Sequence, residues 1–166
     1  MSMSAEFSKS PEAFLKKHTL HTGGRLAGSG NKKVGFTMKS GTLFLEEDPK
    51  GVKCYYLKTA KGMTNTSCLD RAEKDARFFF TDSLTGCQFL AHGGSINPTV
   101  EHDNAPGGFS NRLAQATKKN LLCSVVPGKD YADDEIANVV GVKSGKLWEF
   151  YLQHGAPGKP RVRKLA

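Results

Sequence analysis

The chain has 166 residues, 38% of them hydrophobic, with 18 glycines and 10 phenylalanines. That length suits one folded domain with a sizeable core, and no apolar run approaches the ~20 residues that a membrane-spanning helix needs. Lysine and arginine number 24 against 16 acidic residues, a formal +8, which favours encounter with acidic partners; no recognition-helix, zinc-finger or aromatic RNA-binding motif accompanies the charge, so nucleic acid is not required.

The N-terminus, MSMSAEFS, lacks the basic and apolar regions of a secretory leader, so synthesis in a reducing cytoplasm is expected. A single domain is predicted over 1–166, with loose ends at 1–9 and 156–166. Ser10 to Lys17 reads as a short helix, with Ser10 as N-cap, Pro11 in the first turn and lysines late. The glycine-rich, basic stretch from Gly23 to Lys33 lacks the Gly-Lys-Ser/Thr step of a phosphate loop and runs into strand residues. Val34–Met38, Thr42–Glu46 and Lys53–Leu57 are predicted as a three-stranded meander, and the polar Lys61–Ala76 stretch as irregular. Phe78 to Phe80 suggests a buried strand, followed by a short polar turn at Thr81, Asp82 and Ser83. Gln88–Ala91 and Pro98–His102 read as further extended segments about the Gly93-Gly94 turn. Phe109–Lys119 has helical spacing, Leu121–Val126 is a buried strand, and Ile136–Val142 with Leu147–Gln153 forms a hairpin. The fold class is α+β, with two packed, mostly antiparallel sheets and a few flanking helices.

Chemistry concentrates between Thr81 and His102. Gly86 permits backbone angles that would place Cys87 where main-chain N–H groups converge, a corner able to hold both a nucleophile and an oxyanion. A cysteine attacks as its thiolate, and a nearby imidazole takes the proton and later returns it to the leaving group. Five histidines compete for that role. His92 is nearest in sequence but is carried away along its own strand, whereas a returning strand brings His102 alongside. Against this stands a bland alternative, a buried structural cysteine and a solvated histidine. Cys54 and Cys123 read as core residues, Cys68 lacks an activating neighbour, and the cysteine spacing gives no zinc-ligand pairs.

The stretch Leu84-Thr85-Gly86-Cys87, preceded by Phe79-Phe80-Thr81 and followed by His102, resembles the active-site region of the glutamine-deamidating toxins, the group of the cytotoxic necrotizing factor catalytic domain and Burkholderia lethal factor 1. Thr85 stands where the family mark, Leu-Ser-Gly-Cys, has serine. Val139–Val142 and Lys146–Tyr151 look like the closing strand pair of the same fold. The resemblance implies a catalytic Cys87 and His102. For the third group it leaves two options: Thr81, at the position where the lethal factor has a threonine, or a main-chain carbonyl, as in the necrotizing factors. It also implies hydrolysis of a protein glutamine amide, with no organic cofactor or metal, and transglutamination if an amine reaches the thioester before water. Its targets would be a Rho-type GTPase or a translation-initiation helicase, met in a host cytosol after export, by a monomer without membrane attachment. Two other classes remain: a basic β-rich module that binds an acidic protein or RNA, and a cysteine protease or amidase.

Overall fold

In the computed structural model, which describes residues 1–166, two short helices come first, α1 (Met3–Lys9) and α2 (Pro11–Lys17). Strands β1 (Thr19–His21), β2 (Gly30–Lys39), β3 (Thr42–Glu47), β4 (Val52–Leu57), β5 (Thr64–Cys68) and β6 (Phe78–Thr81) follow. Next come β7 (Gln88–His92), β8 (Thr99–Asp103), α3 (Phe109–Lys118), β9 (Leu121–Val125), β10 (Asn138–Ser144), β11 (Leu147–His154) and β12 (Arg161–Lys164). They build an eight-stranded sheet in the order β1-β3-β2-β4-β6-β10-β11-β12 and a four-stranded sheet in the order β5-β8-β7-β9. The β1–β3 and β4–β6 pairings are parallel and the rest antiparallel. This is the α+β, two-sheet class expected from the pattern. No helix is long and apolar enough to cross a membrane.

The three phenylalanines of β6 show how the layers are assembled. Successive side chains on a strand point to opposite faces. Phe78 and Phe80 therefore enter a core closed by Phe7 of α1 and Phe14 and Leu15 of α2, while Phe79 enters the core between the sheets. There it lies 6.0 Å from Phe89 of β7 and 6.2 Å from Phe150 of β11, centroid to centroid. Each fully buried phenylalanine contributes on the order of 1.5–3 kcal/mol of burial, so β6 is fixed from both sides. The strand that carries Thr81 is thus held rigidly between two cores.

Several expectations are corrected. The meander is not formed, because β2 is long enough to pair with β4 through Gly30–Val34 and with β3 through Val34–Lys39, on its opposite edges. Thr64–Cys68, predicted irregular because it is polar, is a strand, with β8 supplying its partner. The ends predicted to be loose are built in. Residues 3–9 form α1, anchored by Phe7, which is wholly buried among Phe14, Phe36, Phe78 and Phe80. Residues 161–164 pair with β11, and Arg161, Arg163 and Lys164 meet Glu135, Asp130 and Glu149. Ser10 precedes α2 as predicted, but its side chain makes no capping bond.

Candidate active site

Cys87 stands just before β7, at a corner where Gly86 has a φ of +82°. A Cβ at Gly86 would touch nothing, so glycine is there for the left-handed backbone and not for space. Neither the Gly86 nor the Cys87 main-chain N–H makes a hydrogen bond of ordinary geometry within the chain, although both lie close enough to the Tyr131 hydroxyl to favour its charged form. The Cys87 carbonyl accepts from the Tyr131 hydroxyl at 2.7 Å, which ties the corner to the loop before β10.

His102 is brought to the same corner by register. β7 and β8 pair with Phe89 opposite His102, and opposed residues of an antiparallel pair lie on one face. By alternation Cys87 and Phe89 share that face. It is the inner face, since Cys87, Phe89 and Val100 all belong to the inter-sheet core. His92, at the far end of β7, instead meets Glu101, 3.5 Å away, which also accepts from Arg112. The structure thus separates the histidine nearest in sequence from the thiol.

Thr81 reaches His102 from the other sheet. Its Oγ1 lies 2.6 Å from His102 Nδ1 and 3.2 Å from the Leu57 carbonyl. The hydroxyl has one proton, and one assignment uses both of its contacts while leaving no buried N–H without an acceptor. Thr81 donates to Leu57 O and accepts from Nδ1–H, leaving the lone pair on Nε2. In the reverse tautomer, Nε2–H would be a buried donor facing no acceptor, since Nε2 has no partner in the chain, at a cost of about 1–3 kcal/mol. In this tautomer the imidazole carries its lone pair on Nε2, the form a base requires. Thr81 is itself fixed by the Thr22 hydroxyl, which donates to its carbonyl at 2.6 Å.

Two carboxylates flank the pair. Asp82 accepts from the Tyr56 hydroxyl and from the Thr59 N–H at 2.8 Å. Asp103 accepts from the Thr64 hydroxyl at 2.8 Å and from the Ala105 N–H at 3.1 Å. His102 is wholly buried, and desolvation pushes its pKa down to about 4, against the opposing pull of Asp82 and Asp103. Burial likewise raises the Cys87 thiol; the Thr85 N–H and the Thr59 hydroxyl favour its thiolate, and the two aspartates oppose it. At rest both groups are neutral and no hydrogen bond joins them, His102 Nε2 being without a partner; the two carboxylates favour the imidazolium that would form if the proton moved.

The other thiols are poor rivals. Burial pushes Cys54 and Cys123 up to about 12, and Cys68 donates weakly to the Asn97 carbonyl at 3.5 Å. Cys87 is the buried thiol beside polar partners. No three His, Cys, Asp or Glu side chains converge as a metal-ligating group.

Of the three residues singled out in the sequence, Thr81 and His102 are in direct contact, while Cys87 lies on the same sheet face as His102 without a hydrogen bond to either. Thr59, Asp82, Asp103 and Tyr131 were missed as members of the site. Asp82 and Asp103 carried a signal, since each directly follows Thr81 or His102 in sequence. Thr59 and Tyr131 carried none, because only tertiary contacts bring them in.

No family model matches the chain, and no curated protein matches it. Among solved structures, the fold is similar to that in the "Crystal structure of the C-terminal domain of CNFy from Yersinia pseudotuberculosis", with a TM-score of 0.50 and 9% sequence identity over 82% of this chain and 71% of that chain. At that identity the likeness is one of fold.

Proposed function

We propose that this chain is a thiol-dependent protein glutamine deamidase. The observation that supports it most is the Thr81–His102 contact of 2.6 Å, which leaves a buried, unpartnered Nε2 on the sheet face shared with Cys87. As Cys87 Sγ attacks the carboxamide carbon, His102 Nε2 takes the thiol proton, and Asp82 and Asp103 favour the imidazolium. The N–H groups of Gly86 and Cys87, which make no ordinary hydrogen bond and face only the Tyr131 hydroxyl, suit the oxyanion. His102 then returns the proton to nitrogen, the C–N bond breaks and ammonia leaves. Water, deprotonated by the same nitrogen, cleaves the thioester to a carboxylate and a free thiol.

Shelter favours a side-chain amide over a peptide bond. Cys87 is only 4% exposed beneath the exposed Thr85 and Gly86, which suits one slender side chain entering end-on, whereas a main chain needs an open groove. The fold likeness and the resemblance of the Leu84–Cys87 stretch point the same way. By that resemblance, the substrate is a host GTPase of the Rho type or a translation-initiation helicase. Ammonia release from these two proteins, compared among wild type, Cys87→Ser and His102→Ala, tests the proposal. Release with wild type alone supports it, and release that survives in Cys87→Ser removes the thiol from the chemistry.

A further inference from the structure

A cavity of about 510 Å³ lies between the β1–β3 edge and the loop before β10. Most of its polar floor is already satisfied, His21 Nδ1 being a buried exception. The Gln153 amide accepts from Leu20 N and donates to the Leu15 and His18 carbonyls. Asn138 accepts from Ser83 and donates to the Leu20 carbonyl. Glu135 accepts from Ala132 N, His154 and Arg161, which holds its carboxyl down at about 2. What the cavity presents is therefore largely apolar: Phe44, Ile136, Pro157 and Pro160. Ile136 is 39% exposed. Asp134 lines the cavity, with Asp133 next to it in sequence; both are exposed and make no ion pair, on a chain of net +8.

The cavity and the thiol corner share a wall. Tyr131 bonds the Cys87 carbonyl, Ala137 exchanges main-chain hydrogen bonds of 2.7 and 3.1 Å with Leu84, and Ile136 and Asn138 line the cavity. The five-residue step from Tyr131 to Ile136 spans at most ~17 Å, so one extended peptide reaches both sites.

We propose that this cavity is a docking subsite for the substrate protein. It takes an apolar side chain within about five residues of the modified glutamine, with a neighbouring lysine or arginine set against Asp133 and Asp134. This rests on the deamidase reading for the identity of the substrate, while occupancy of the cavity is measurable without turnover.

The test uses the full chain carrying Cys87→Ser, labelled with ¹⁵N, and three synthetic peptides. Each has one glutamine followed, after a four-residue Gly-Ser spacer, by Leu-Arg, Leu-Glu or Ser-Arg. The Leu-Arg peptide should shift the amides of Ile136, Gly155 and Ala156 at concentrations at least tenfold lower than the other two, and Asp133→Asn with Asp134→Asn should erase that preference. Absence of shifts at these amides with Leu-Arg, or equal shifts with all three, would overturn the subsite. Ammonia release from the same peptides by the wild type reports on the deamidase reading separately. Peptides that fill the cavity but release no ammonia would sink that reading and leave the cavity as a binding site alone.

Discussion

Replacing Thr81 with valine keeps the shape of a wholly buried side chain and removes one oxygen. That oxygen is the acceptor at His102 Nδ1 and lies 2.6 Å from it. In the attack step the ring becomes an imidazolium whose Nδ1–H then has no acceptor. A hydrogen bond to a charged group contributes about 1.5–3 kcal/mol, which at 1.36 kcal/mol per decade is a loss of roughly 10- to 150-fold in kcat/KM. Thr81→Ser retains the oxygen and should recover most of that loss. Glutamine deamidation by the three proteins, followed by ammonia release, gives the ratio. Side-chain ¹⁵N shifts of His102 report the tautomer, with Nδ1 protonated in wild type and Thr81→Ser. Full activity of Thr81→Val, or a Thr81→Ser protein as impaired as the valine variant, would refute the positioning role.

His102 makes stability depend on acid. Its folded pKa of about 4 lies below the ordinary 6.5, so the unfolded chain binds more protons between those values. Its contribution is intact above pH 6.5 and falls by about 3 kcal/mol as pH drops to 4. His102→Gln should therefore lose less stability than wild type between pH 7 and 4.5 in urea titrations; equal losses would contradict a buried neutral imidazole. The Thr59 hydroxyl has no hydrogen-bond partner at rest and is the least of the influences on Cys87, so Thr59→Val should raise the thiol pKa only slightly and slow its alkylation by iodoacetamide modestly at fixed pH, with Thr59→Ser close to wild type. An unchanged pH profile would place the Thr59 hydroxyl away from the sulfur. Gly86→Ala forces a Cβ into left-handed backbone at φ +82° and should cost about 1–2 kcal/mol in chemical denaturation. No change would mean that the corner relaxes freely.

The central strand and the corner were legible because their signals are local. Phe78–Phe80, Gly86 and a returning strand carrying His102 are readable from period and residue type, whereas the register that sets His102 opposite Phe89 comes from the β7–β8 pairing. The Thr81–His102 contact was an open option on sequence alone, since it joins the two sheets and depends on how they pack. What escaped was set by partners far along the chain. Thr64–Cys68 is polar and becomes a strand only because β8 offers its edge. β1 pairs in parallel with β3, and β12 docks on β11 through basic side chains that look like a solvated tail in isolation. Asp82 was read as a turn former because its sequence neighbours are polar. Its site role comes from Tyr56 and Thr59, which reach it across the β4–β6 pairing.

The most direct measurement is peptide mass spectrometry of the Rho-type GTPase and the initiation helicase after incubation with wild type or Cys87→Ser, in ordinary water and in H₂¹⁸O. Hydrolysis through a thioester predicts, with wild type alone, a gain of about one mass unit at a single glutamine in ordinary water and about three in the heavy water. Backbone cleavage, or an identical gain with Cys87→Ser, would contradict a Cys87-dependent side-chain deamidation.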